Sequence, residues 1–205
     1  MFNALAFISV IVVMVLLRTI VEILPSVLAC LFRWKENLNI ESSVRLSHDR
    51  DITALALYIP FCLTIFHFKI YNPSFIADLP DGTRLWAIIG VMTTYVLIRK
   101  AASLLSRPQR IPSRTLSAAE KSAKTYFILL ALTLLLSGCV LSFFNSPHNT
   151  IRLTCLWLSA LVYGLYLARK LQIFASSCSI FAAFLYLCAL EILPTGILVV
   201  SDVIF

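Results

Sequence analysis

The residues with chemistry to offer are the ionisable ones stranded in apolar surroundings, because a charge in a membrane interior costs several kcal/mol unless paired or hydrated. Glu191 is the foremost: it lies well inside the last apolar run, and Pro194 follows it by one helical turn. Proline has no N–H, so the carbonyl of Leu190 loses its helical partner there. A carboxylate beside a broken helix can hold a proton or a cation. It can equally hydrogen-bond a neighbouring helix and fix packing. Arg18 and Glu22 are the second case. Their i, i+4 spacing lets them neutralise each other on one helix face, and the alternative is that Arg18 reaches across the bundle to Glu191. If the first helix ends at Pro25, Val27 to Trp34 becomes an interfacial amphipathic piece.

The remaining polar groups have plainer readings. His67 and Lys69 fall at the end of an apolar run, where water can reach them. His48, Asp49 and Asp51 form a polar cluster that reads as a solvated helix start in preference to a metal site. Arg107, Arg110, Arg114, Lys121 and Lys124 make a basic loop that can contact anionic lipid headgroups, each cation contributing on the order of 1 kcal/mol near the surface. The six cysteines (Cys30, Cys62, Cys139, Cys155, Cys178 and Cys188) lie within apolar stretches and read as reduced packing residues. Zinc-protease, nucleophile-elbow and phosphate-loop motifs are lacking, as are paired histidines to bracket a haem. The sequence therefore calls for no metal and no cofactor.

The elements that must position these groups are membrane helices. Of 205 residues, 60% are hydrophobic and 13% charged, and the mean hydropathy is +0.92. One soluble core could not hide that much apolar surface. A crossing needs roughly 20 apolar residues, and six runs approach that length: 2–32, 52–71, 85–105, 125–144, 153–168 and 174–204. They lack the alternation of a β-barrel strand. No Lys or Arg precedes the first run, so it reads as a retained anchor and not as a cleaved signal.

Thirteen of the 17 Lys and Arg residues fall in 33–51, 99–124 and 169–172, while the alternate connections carry only Lys69, Arg84 and Arg152. By the positive-inside rule the three basic segments are cytoplasmic and both termini lie outside. Trp34, Tyr71, Trp86 and Tyr126 are then expected at the interfaces. The net charge of +7 is a topology signal, with no basic stripe for nucleic acid. The predicted fold is an all-α integral membrane bundle of about six spans.

Two short repeats occur. Glu22-Ile23-Leu24-Pro25 returns as Glu191-Ile192-Leu193-Pro194, in helices of opposite direction, as an inverted repeat would place it. Ile98-Arg99-Lys100 parallels Ala168-Arg169-Lys170, which reads as positive-inside flanking.

Around the last run, Arg169-Lys170, Phe174, Ser176-Ser177 and above all Leu185-Tyr186-Leu187-Cys188-Ala189-Leu190-Glu191-Ile192-Leu193-Pro194 resemble the C-terminal signature of an uncharacterised bacterial multi-pass membrane family, domain of unknown function 4271. The resemblance covers about the last 40 residues and elsewhere rests on number and spacing of spans. It implies a bacterial inner-membrane protein with no assigned activity, and places Glu191 and Pro194 in the family's signature.

Three functions fit these features. The first is a non-enzymatic component that scaffolds an inner-membrane assembly, with the lipid bilayer and other inner-membrane proteins as partners. The alternative is a small proton-coupled transporter or lipid translocase using Glu191. An intramembrane enzyme comes third, for want of a catalytic set. A translocation path predicts one hydrated cavity lined by Glu191, Tyr186, Cys188 and Arg18, whereas a scaffold predicts a dry interior. In a packing role Glu191→Gln is expected to be nearly silent, since glutamine keeps a hydrogen bond.

Overall fold

A computed structural model describes residues 2–32, 43–105, 113–175 and 180–204. Among them the elements are α1 (Phe2–Phe32), α2 (Val44–Ala56), α3 (Tyr58–His67), the single turn α4 (Ser74–Ala77), α5 (Asp81–Leu105), α6 (Ser113–Phe143), α7 (His148–Ala175), α8 (Ile180–Leu187), a π-helical turn (Cys188–Ile192) and α9 (Leu193–Ile204). The described residues contain no strand. The all-helical fold follows from a hydrocarbon solvent in which each backbone amide must be bonded within its own segment.

Five stretches are long and apolar enough to cross a membrane: Leu5–Leu31, Gly82–Ser103, Ala119–Phe143, His148–Ala175 and Ala183–Asp202. The expected run 52–71 is not among them, because it belongs to a helix broken at Leu57. Ser43 caps the start of α2, its Oγ accepting from the Leu46 N–H at 3.5 Å. Pro60 cannot donate to the carbonyl of Ala56, so one rung is missing where α2 gives way to α3. α3 ends through a left-handed Lys69 (φ 51°), and the Ile70 N–H reaches back to the Ile65 carbonyl at 3.1 Å. α6 ends in the same way at Asn145 (φ 51°), with the Ser146 N–H on the Leu141 carbonyl at 3.1 Å. Both are Schellman-type closures.

Helices also extend beyond their apolar runs. α6 starts at Ser113 and α7 continues to Ala175, so much of 99–124 and all of 169–172 are helical, not loop. Lys170 thereby gains a fixed direction. α1 runs through Pro25 to Phe32 and buries Val27 and Cys30, so Val27 onward is no separate interfacial piece.

The two ends of the bundle are recognisable from their polar contacts. At one, Lys124 meets Asp51 at 2.6 Å, the Tyr126 hydroxyl donates to the Cys30 carbonyl at 3.2 Å and Arg169 Nε donates to the Leu31 carbonyl at 3.1 Å. At the other, Tyr71 and Ser201 share a hydrogen bond of 2.8 Å, the Asn72 N–H donates to Asp202 at 2.6 Å, Arg84 donates to Asn72 and Arg152 approaches Asp202 at 3.7 Å. α2 and α3 together lead from the first end, at Asp51, to the second, at Tyr71. Tyr71 and Tyr126 are thus buried by their bonds, and only Trp86 of the expected interfacial rings is exposed; Trp34 lies outside the described residues.

Between the ends, α6 and α7 form the central pair, and α3 packs closely on α6. A Cβ added to Gly138 would stand 2.6 Å from the Phe68 ring. Cys62, Ile65, Ile88, Met92, Leu134 and Cys155 form the largest apolar cluster. Cys30, Cys62, Cys139, Cys155 and Cys188 form no disulfide among the described residues, and Cys178 lies outside them.

Candidate functional site

Glu191 is carried on the π-helical turn. Pro194 supplies no N–H, and the Leu193 N–H bonds the carbonyl of Cys188, five residues back, widening the helix by one residue. That turn points the Glu191 side chain into the bundle, where it is 2% exposed. Two cations meet it. Arg99 on α5 places Nε 2.8 Å from Oε2 and donates through Nη2 to Oε1 at 2.9 Å. Lys170 on α7 brings its ammonium onto Oε1. Arg99 Nε lies at ion-pair distance but off the line of its N–H, so Oε2 accepts no linear hydrogen bond.

Tyr166, one turn before Lys170, completes the cluster. Its hydroxyl accepts from Lys170 at 3.0 Å and from Arg99, and its ring lies 5.2 Å from the Arg99 guanidinium and 5.5 Å from the Lys170 nitrogen. Both separations suit cation–π attraction. Tyr163 donates to the Glu191 carbonyl at 3.0 Å, and Tyr95 pairs with Thr195 at 2.8 Å. Glu191, Thr195 and Asp202 therefore mark one polar face of the last crossing, while Ile192, Leu193, Ile197, Val199 and Val200 are exposed.

Depth follows from the helical rise of about 1.5 Å per residue. Glu191 lies about 16 Å along its helix from Asp202, and Lys170 about 27 Å along α7 from Arg152. Against a hydrocarbon core of about 30 Å, the carboxylate is deep. The two cations are rooted nearer the other end, and their long side chains reach inward to meet it. Within the cluster one carboxylate faces two cations. Glu120 on α6 is the second carboxylate whose field reaches Lys170, and its Oε1 is buried without a hydrogen-bond partner.

Arg18 is not part of this site. Its Nε bonds Glu22 at 3.0 Å, and Arg45 of α2 bonds the other Glu22 oxygen at 3.0 Å. Tyr186 stacks edge-on against Phe174 with ring centroids 5.0 Å apart. Glu191, Tyr186, Cys188 and Arg18 consequently line no common cavity. Two open clefts lie elsewhere, one along Thr154, Trp157 and Leu161, the other beside Val44, Ser47, His48, Asp51 and Lys121.

Of the basic residues expected at headgroups, Arg107 and Arg110 lie outside the described residues. Arg114 is on the first turn of α6, Lys121 lines the polar cleft and Lys124 holds Asp51. Burial works to raise the Asp51 carboxyl, but hydrogen bonds and charge from Lys124 and Arg50 outweigh it and hold the group below its ordinary value. Asp49 comes within 3.8 Å of Arg45. Among the described residues no three His, Cys, Asp or Glu side chains gather as metal ligands.

The members of the cluster that the sequence does not single out are Arg99, Lys170 and Tyr166. Arg99 and Lys170 end apolar runs and were explained by topology. Their usable signal was that Glu191 needed a cation and these were the basic residues nearest the membrane interior. No known protein family, curated protein or solved structure matches the chain.

Proposed function

We propose that this chain is a non-enzymatic component of the bacterial inner membrane that scaffolds a larger membrane assembly, with the Glu191 cluster as its internal lock. The observation that carries this reading is the occupancy of Glu191: an arginine and a lysine both pair with the carboxylate, and the clefts along Trp157 and beside His48 do not reach it. The cluster ties α5, α7 and the last crossing together at three points. Six crossings with both termini outside is the arrangement we favour. It is supported by the basic segments and by the path of α2 and α3 from the Asp51 end to the Tyr71 end. The likeness of Leu185 to Pro194 to the uncharacterised bacterial family supports the inner-membrane placement alone.

Proton-coupled transport is the second reading, favoured by the unsatisfied oxygens of Glu191 and Glu120. Protein reconstituted in vesicles with an imposed pH gradient separates the two. The scaffold reading expects wild-type vesicles to hold the gradient as well as empty ones. Collapse of the gradient by wild type but not by Glu191→Gln would overturn it.

A further inference from the structure

A second charged cluster lies on the exposed face of α1 and α2, and it has a composition of its own. On α1, Arg18 is 88% exposed, and Glu22, 42% exposed, accepts from it. Arg45, 78% exposed, reaches the same carboxylate from α2 and comes within 3.8 Å of Asp49. Two guanidiniums and two carboxylates make up the cluster among the described residues, with no net charge. Among the described residues Arg18 spends only its Nε on Glu22, so its two terminal amines, the fork that best fits phosphate, are unspent.

The surroundings are apolar. Met14, Val15, Leu17 and Val21, exposed on α1, flank Arg18 within a turn on either side. An ionised group on such a face cannot be covered by acyl chains alone, because desolvation would go uncompensated. A polar head over it, with chains along the apolar residues beside it, would offset that cost.

We propose that Arg18, Glu22 and Arg45 form a binding site for a zwitterionic phospholipid whose head carries both a phosphate and a primary ammonium, as in phosphatidylethanolamine. The phosphate takes the free fork of Arg18, and the ammonium donates to Glu22 and Asp49, which an anionic head lacking an amine would meet as repulsion. A choline head carries the same charges but no N–H to donate. The two acyl chains lie along Met14, Val15, Leu17 and Val21. The site rests on the chain's residence in a membrane and is independent of Glu191 and of the scaffold role.

Native mass spectrometry of the full chain, with phosphatidylethanolamine, phosphatidylcholine and phosphatidylglycerol of identical acyl chains, tests it. The expected result is preferential retention of phosphatidylethanolamine by about tenfold, the effect of one or two charge-assisted hydrogen bonds. R18Q should lose that retention. E22Q should leave ethanolamine and choline heads bound alike, and both variants should unfold within a few degrees of wild type. Equal or stronger retention of phosphatidylglycerol would reduce the site to plain attraction of anions and overturn the proposal. So would undiminished ethanolamine selectivity in R18Q.

Discussion

Glu22-Ile23-Leu24-Pro25 and Glu191-Ile192-Leu193-Pro194 are one tetrapeptide with two fates. In both places the carboxylate is held by two cations, one from four residues back or from a neighbouring helix and one from farther away in the chain. In α1 the helix passes Pro25 unbroken and leaves Glu22 on the surface. In the last crossing a π-helical turn precedes Pro194 and carries Glu191 inward. Local sequence sets neither outcome; the neighbours of each helix do. Ion pairs that look alike in geometry thus differ in energy, since the protein itself desolvates Glu191 almost completely and leaves Glu22 open to water or a polar head.

Removing the buried carboxylate should have the largest effect. Glu191→Gln leaves the buried Lys170 and the part-buried Arg99 as uncompensated cations, so it is expected to cost about 3–5 kcal/mol of stability, read as a lowered unfolding temperature in lipid. This reverses the near-silent effect that a lone hydrogen-bonded carboxyl would give. Replacing the whole cluster, with Glu191→Leu, Arg99→Met and Lys170→Met together, should recover most of that loss, because no unpaired charge remains. If the triple variant is as unstable as Glu191→Gln alone, packing and not charge explains the site.

The prolines sharpen the contrast at a smaller scale. Pro194→Ala favours a regular helix and weakens the inward turn that presents Glu191, while the carboxylate can still reach its partners, at an expected cost of about 1 kcal/mol. Pro25→Ala restores a helical N–H in α1 and should be neutral or stabilising in the same assay.

Asp51 supplies the intermediate case, half-exposed and bonded to Lys124 at 2.6 Å. Its carboxyl is held below the ordinary value, so its contribution is present above the unfolded pKa of about 4 and is lost as pH falls through the lower folded value. The stability difference between wild type and Asp51→Asn should therefore shrink on acidification, from a fraction of a kcal/mol. Glu22→Gln should cost least, under about 1 kcal/mol at any pH above that range. A loss as large as that of Glu191→Gln would erase the distinction between the two tetrapeptides.

The apolar runs of 2–32, 125–144 and 174–204 announced helices, and Glu191 announced itself by being charged within one of them. Class, approximate bounds and the acidic member of the site were legible because run length and composition are local properties that hydrocarbon reads one segment at a time. The Arg18 to Glu22 bond was legible for the same reason, being four residues long. The break at Leu57 was less so: Pro60 marked the region, but the chain could have tolerated it within one straight crossing.

Arg99, Lys170 and Tyr166 were decided only by tertiary structure. Nothing in Ile98-Arg99-Lys100 or Ala168-Arg169-Lys170 distinguishes the residue that turns inward from the one that stays at the headgroups. That choice depends on the angular register of α5 and α7 against the last crossing, and on a π-helical turn that rotates Glu191 to meet them. Sequence alone determined that a charge would be buried in a membrane bundle. The packing of helices far apart in the chain determined which charges would neutralise it, since Coulomb attraction acts on distance in space and carries no memory of separation along the chain.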